Sequence, residues 1–574
     1  MSFSQTISVL YRKYPLLRIS VFIVAIALII ALISLVTIET RQVPEITSIS
    51  PAVGTAGDIM TISGTHFGEK QGTSDYVEVG GSRITSNGYL RWSDKQIRII
   101  LPTNVQDGLV IVRTKNGQSK PGFFANTADI PVLVPPDTQT SLPVISSVSP
   151  SSGSYGTLIT ISGTNFGTIR GNAFVKFTAN RDDADQTTMS SSSTEDKQGE
   201  FDLQYITANE NNYDYEYWSD SEIRVRIPDG ASSGPLSVNT EKGESNVGQI
   251  DIHLPAGTKS YTSRRTYLLQ LSEEIENLDS KNPTTVTMRV PRPLVNASQP
   301  MAEMTECNPQ PVIPDYKNTI IHQIELVRAT GRKMRFSQNF VVSTYSVQTA
   351  INPSRVRPFS EKKRLLYLAA TQPDNLILSR NPEIMAAAKE ITGKESNPYK
   401  QVKLIFDYML KQFEVYARSR RSNESILDTL KKKRGDAYDC TVLFTSLVRS
   451  LNIPCLPISG ILVDSDLKAQ PHWWTEFYIE NFGWVPVDIA LAKDALEYKA
   501  FKKPENPSEF YFGNLDGQHI AFSRGWNEVK PALINSKVVQ RQKSYAFQSI
   551  WEESSAGKVN YSTLWNDPVV LGIY

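Results

Sequence analysis

Apolar positions follow three different patterns along the chain. From Ile19 to Ile38, twenty residues run without a charge or a proline (ISVFIVAIALIIALISLVTI), the length an α-helix needs to cross a hydrocarbon core about 30 Å thick. This predicts a transmembrane helix over 19–38 behind a short N-terminal segment, 1–18. From 43 to 352 apolar residues alternate with polar ones, as in MTISG, TVTMRVP and FVVSTYSV, the period of half-buried strands. After Pro353, NPEIMAAAKEITG and NPYKQVKLIFDYML place apolar residues at i, i+3, i+4 and i+7, the stripe of amphipathic helices. The expected fold class is multidomain: a transmembrane helix, two tandem sandwiches, a third β-sandwich and an α+β domain.

The alternating region contains an internal repeat. PEITSISPAVGTAGDIMTISGTHFG, from Pro44, recurs as PVISSVSPSSGSYGTLITISGTNFG, from Pro143, and WSDKQIRIILP recurs as WSDSEIRVRIP. The offset grows from 99 to 126 residues between the two matches, so the second copy carries 27 extra residues. They fall in an Asp- and Ser-rich stretch, 178–217, expected to be a mobile loop because it can bury little apolar surface. The copies span 43–127 and 143–254, joined by a proline-rich linker over 128–142 that acts as a semi-rigid spacer. The shared P-x-I-x-x-[IV]-x-P, G-x-x-G and I-x-G-x-x-F-G patterns closely resemble IPT/TIG modules. That resemblance implies immunoglobulin-like sandwiches serving as a spacer or interaction surface.

Charge narrows the choice of partner. Sixty Lys and Arg against fifty-nine Asp and Glu give no excess of positive charge with which to displace counterions, which argues against a nucleic-acid partner. Arg12, Lys13 and Arg18 precede the apolar run without an acidic neighbour, so a single-pass membrane protein would keep its N-terminus in the cytoplasm and expose the rest in the periplasm or at the cell surface. Three cysteines, Cys307, Cys440 and Cys455, make no disulfide framework beyond at most one pair. With five histidines and no CxxC or Cys/His spacing, neither a metal nor a cofactor is expected.

The chemistry sits in the last third. A thiol enzyme needs its cysteine at a helix N-terminus and a histidine within reach, oriented by an acid or amide. A turn at Gly435 opens an apolar helix. PHWWTEFYIENFGWVPVD then brings His472 and Asp488 onto neighbouring strands of a hairpin. Gly435, Asp439, Arg449, His472, Trp474, Glu476, Gly483, Trp484 and Asp488 match the pattern of the transglutaminase-like superfamily. YFGNLDGQHIAFSRG, from Tyr511, looks like the segment that often follows in that family, and the β-region 260–352 looks like its usual companion. The resemblance implies a papain-like domain over 355–535, followed by a C-terminal extension, 536–574.

In that register the nucleophile position is Ala437. Cys440 lies three residues further along the helix, where its Cβ is displaced by about 5–6 Å; a gap in the register would make it the nucleophile instead. The readings that follow are a pseudoenzyme that binds a protein, peptide or cell-wall polymer through its old cleft, an active thiol enzyme using Cys440, His472 and Asp488, and an adhesion protein acting through the IPT/TIG-like copies. Tyr438, Trp473, Trp474 and Trp484 are the expected cleft lining.

Overall fold

The computed structural model describes residues 43–574 except 107, 127–140, 182–203, 327–328, 420–423, 532–535, 542 and 556–558. It divides into two compact units, 1–139 and 140–574. The fold class read from the sequence needs one correction: among the described residues no helix is long and apolar enough to cross a membrane, so the transmembrane helix is not part of the observed architecture. The segment that prompted it, 19–38, lies outside the described residues, as do most of the linker and most of the Asp-rich stretch. Hydropathy measures the compatibility of a segment with lipid and does not by itself make a helix.

Within the first unit, one sheet pairs the strands Glu45–Ser50, Ile59–Thr65, Gln96–Ile100 and Tyr89–Ser93 in that order, and a second is built around Gly108–Thr114. Alternation places Met60, Ile62, Ile97 and Ile99 opposite Val77, Val79, Val110 and Val112 in one core. The second copy repeats this strand order. The repeated motif residues are the ones this geometry requires. A Cβ on Gly64 would lie 2.0 Å from the Glu45 carbonyl oxygen, and one on Gly163 2.0 Å from that of Val144. Trp92 Nε1 donates to the Phe67 carbonyl at 2.9 Å, and Trp218 Nε1 to that of Phe166 at 3.1 Å.

The third sandwich is organised by two long strands, β1 (Gly257–Ser280) and β2 (Ala329–Ile351), paired antiparallel almost end to end. Residues 536–574, read as an extension, supply strands to both of its sheets. Val559–Trp565 and Val569–Ile573 add to β1, and Glu552–Ser554 pairs with Thr284–Pro291. These partners lie far apart in the chain, beyond the reach of any local pattern.

The α+β domain carries helices α1 (Leu365–Thr371), α2 (Pro382–Thr392), α3 (Pro398–Gln412), α4 (Ile426–Lys432), α5 (Ala437–Ser450) and α6 (Ile489–Ala492). Its sheet contains β3 (Cys455–Val463), β4 (Ala469–Ile479), β5 (Gly483–Val487) and β6 (His519–Arg524), in the order β5-β4-β3-β6. The Asn-Pro pairs start α2 and α3: Asn381 and Asn397 accept from Glu383 N and Lys400 N at 2.9 and 3.1 Å, while each proline fills the first helical position, whose N–H has no intrahelical partner. Arg449 ends α5 by donating to the Cys455 carbonyl at 2.7 Å and to Asp374 at 2.9 Å. The second sandwich is tied to this sheet by a buried knot. Lys259 Nζ lies 2.7 Å from Asp229 Oδ2 and 2.6 Å from the Trp484 carbonyl, and Trp484 N donates to Asp229 at 2.7 Å.

Candidate functional site

Helix α5 begins at Ala437, with Asp436 as its N-cap. Asp439 N donates to Asp436 at 3.0 Å and Asp436 N donates back to Asp439 at 3.1 Å, a reciprocal capping box. Gly435 is required beside it, since a Cβ there would meet the Asp439 Cβ at 2.7 Å. Lys543, from the C-terminal segment, lies 2.9 Å from both Asp436 and Asp439 and 5.1 Å from the Tyr438 ring centre. In a thiol enzyme this helix end would present a sulfur. Here it presents the Ala437 methyl group beside a closed polar cap.

None of the three sulfurs occupies that place. Cys440 is fully buried in the core that also takes in Trp473, Leu443 and Phe477. Burial pushes the Cys455 thiol up to about 12 and that of Cys307, in the third sandwich, up to about 11.

His472 and Trp473 are neighbours on β4, so they project to opposite faces of the sheet. Trp473 faces the core that contains Cys440, whereas His472 stacks near Trp474 on the other face, with ring centres 6.1 Å apart. His472 Nε2 lies 2.5 Å from Asp488 Oδ2, bringing together the two residues expected from the hairpin. Asp488 also caps α6, accepting from Leu491 N at 2.9 Å.

Two further residues extend this pair. His519 Nε2 lies 3.1 Å from the same Asp488 oxygen, and its Nδ1 lies 2.9 Å from Asp516. Tyr511 donates to Asp516 at 2.8 Å. Burial alone would depress the His519 imidazolium, but Asp516 and Asp488 push it up to about 9. Burial alone would raise the Asp488 carboxyl; His472 and His519 hold it well below the usual carboxylate range. One donor atom each from His472, Asp488 and His519 lie within 4.8 Å of one another, so the three have the composition of a metal site. Sequence reading placed His519 and Asp516 only inside a family-like segment. The signal that could have found them is Asp-x-x-His in a chain with five histidines.

Of the four aromatic residues expected to line one cleft, Tyr438 and Trp473 pack edge to face with ring centres 5.6 Å apart, while Trp474 and Trp484 lie apart from that pair. Tyr438 borders a cavity of about 260 Å³ with Trp526, Lys543 and Phe547, and Trp484 borders another of about 400 Å³ at the junction of the second sandwich, the third sandwich and the α+β domain. Trp473 and Trp474 are buried on opposite faces of β4 and line neither.

Comparison with known families agrees with this anatomy. Residues 385–489 match the transglutaminase-like superfamily, and 44–127 and 143–252 match the IPT/TIG domain. The chain holds a transglutaminase-like domain behind two IPT/TIG domains. An uncharacterized protein of Haemophilus influenzae is 29% identical over 163 residues, 23% of this chain and 44% of that protein, so the chain spans under half the length of this relative. Among solved structures, a candidate cysteine protease from Cytophaga hutchinsonii is 15% identical, covering 55% of this chain and 93% of that one, with a TM-score of 0.36. The periplasmic domain of TgpA from Pseudomonas aeruginosa is 11% identical, covering 42% and 88%, with a TM-score of 0.24.

Proposed function

We propose that the transglutaminase-like domain performs no thiol chemistry and serves as a binding module for a protein, peptide or cell-envelope polymer. The observation that carries this reading is Ala437 at the first position of α5, with the nearest sulfur, Cys440, buried one turn further on. A methyl group cannot attack a carbonyl. Cys440 packs in the core with Trp473, Leu443 and Phe477 and not at the first position of the helix. The junction cavity supports a ligand role: Tyr205, Tyr261 and Trp484 give it aromatic walls, while Asp229, Glu476 and Arg524 give it polar anchors.

Iodoacetamide labelling of the folded protein followed by mass spectrometry tests the chemical half of this reading. Cys440 is expected to remain unlabelled until the protein is unfolded, and no amide hydrolysis or acyl transfer should be measurable. Labelling of Cys440 ahead of Cys307 and Cys455, together with turnover that Cys440→Ala abolishes, would restore the thiol-enzyme reading.

A further inference from the structure

The geometry points to His472, Asp488 and His519 as a site for one divalent transition-metal ion of the zinc class. Two imidazoles and a carboxylate are donors that Zn²⁺ and Co²⁺ accept, and three protein ligands leave a position open for water or a ligand oxygen. The three side chains are placed by the sheet and not by a loop. His472 on β4 and His519 on β6 flank β3, where Gly460, which has no side chain, stands in register with His472. The two rings approach across it, with centres 5.5 Å apart. Asp488, at the end of β5, directs Oδ2 at the Nε2 atoms of both rings while its Oδ1 is held by Leu491 N.

An outer layer fits the same role. Asp516 receives His519 Nδ1 at 2.9 Å, and is itself fixed by Tyr511 Oη at 2.8 Å and Gln518 N at 3.0 Å. This carboxylate–imidazole arrangement orients Nε2 as a ligand in metal sites. The 3.1 Å between His519 Nε2 and Asp488 Oδ2 suits two donors each about 2.0–2.2 Å from one ion. The 2.5 Å between His472 and Asp488 must open by less than about 1 Å. His519 now faces a carboxylate oxygen with each ring nitrogen; an ion in place of the Nε2 proton keeps the Asp516 contact, and the charges of Asp488 and Asp516 balance a divalent cation. This inference does not rest on the absence of a thiol nucleophile argued above, since it concerns the face of β4 opposite the buried sulfur.

The test uses the untagged chain, stripped with a chelator and titrated with Co²⁺ while visible d–d absorption is followed, then with Zn²⁺ as competitor. One ion per chain is expected. His519→Ala and His472→Ala should each weaken Co²⁺ binding by more than about 100-fold, because each removes a ligand, whereas Asp516→Asn, which touches no ion, should weaken it by about 10–100-fold. His253→Ala, at an exposed histidine elsewhere, should change nothing. Should the ligand variants fail to fold, Asp516→Asn against His253→Ala carries the decision. Absence of d–d absorption at about 100 μM Co²⁺, well above the affinities of structural zinc sites, overturns the inference. So does binding that Asp516→Asn leaves intact.

Discussion

The protein buries imidazoles in two regions and treats them in opposite ways. In the transglutaminase-like domain, His472 and His519 share Asp488, and Asp516 backs the second ring. In the third sandwich, His322 accepts from Gln338 Nε2 at 3.1 Å and lies 3.9 Å from the Cys307 sulfur, while its Nδ1 has no partner among the described residues. Glu273, in the same sandwich, is fully buried, and the contact that opposes its burial is with the neutral amide of Gln338. Burial pushes Glu273 up to about 8, against the opposing contact with Gln338, and brings His322 down to about 4. Depth is similar in the two places. What differs is the charge of the partner: Asp488 and His519 face groups of opposite charge and keep theirs, whereas Glu273 and His322 meet the neutral Gln338 amide and give theirs up. The first cluster therefore holds charge in the interior, and the second behaves as core.

The largest effect expected from this contrast comes from Glu273. Between pH 4.5 and about 8 the folded protein binds more protons at this residue than the unfolded chain does, so stability falls as pH rises through that window. The full loss is at most about 5 kcal/mol above pH 8, counting about 1.4 kcal/mol for each pH unit of the window. Glu273→Gln should remove the slope, melting well above the wild type at pH 8 and close to it at pH 4.5. Equal pH slopes in differential scanning calorimetry would mean that Glu273 is ionised in the folded protein.

Asp488→Ala gives the next largest change and attacks the paired side. It leaves two buried imidazoles and the Leu491 N–H without their acceptor, which should cost about 4 kcal/mol in metal-free protein. Urea unfolding followed by tryptophan fluorescence measures it. A cost below about 1 kcal/mol, the range of an ordinary surface change, would make the cluster a loose polar pocket instead of a pre-formed site.

Which parts of this were visible in the sequence follows from the range over which each interaction acts. The IPT/TIG repeat was legible because its motif residues, Gly64 and Gly163, Trp92 and Trp218, are demanded by contacts inside each copy. The capping box at Asp436 and Asp439 and the Arg449 anchor follow the family pattern for the same local reason. Asp516 and His519 were hidden because they join Asp488 through the pairing of β6 with β3, 31 residues from His519 to Asp488. Lys543 was hidden too: it reaches the α5 cap from 107 residues away. Strand alternation places Trp473 and Trp474 on opposite faces of β4, and Tyr438 packs edge-on against Trp473 alone of the two. The apolar run over 19–38 produced an expectation that the observed architecture does not carry.

The smallest of the three effects isolates His322, and its sign is opposite to that of Glu273. Its folded value, about 4, lies below the ordinary 6.5, so below pH 6.5 the unfolded chain takes up a proton that the folded sandwich refuses. Stability at this residue is complete above pH 6.5 and is lost as pH falls to about 4, by at most about 3 kcal/mol. His322→Phe should keep the ring packing against Phe336, whose centre lies 5.0 Å away, and remove the acid-side loss. Gln338 Nε2 loses an acceptor in this variant, a cost of about 1 kcal/mol at every pH. The variant is thus expected to be slightly weaker than the wild type at pH 7 and stronger at pH 4.5, a crossing of the two stability curves. Curves that stay parallel from pH 7 to pH 4.5 would show that His322 takes up a proton in the folded state. In that case the two imidazole regions would differ in hydrogen-bond count alone and not in charge.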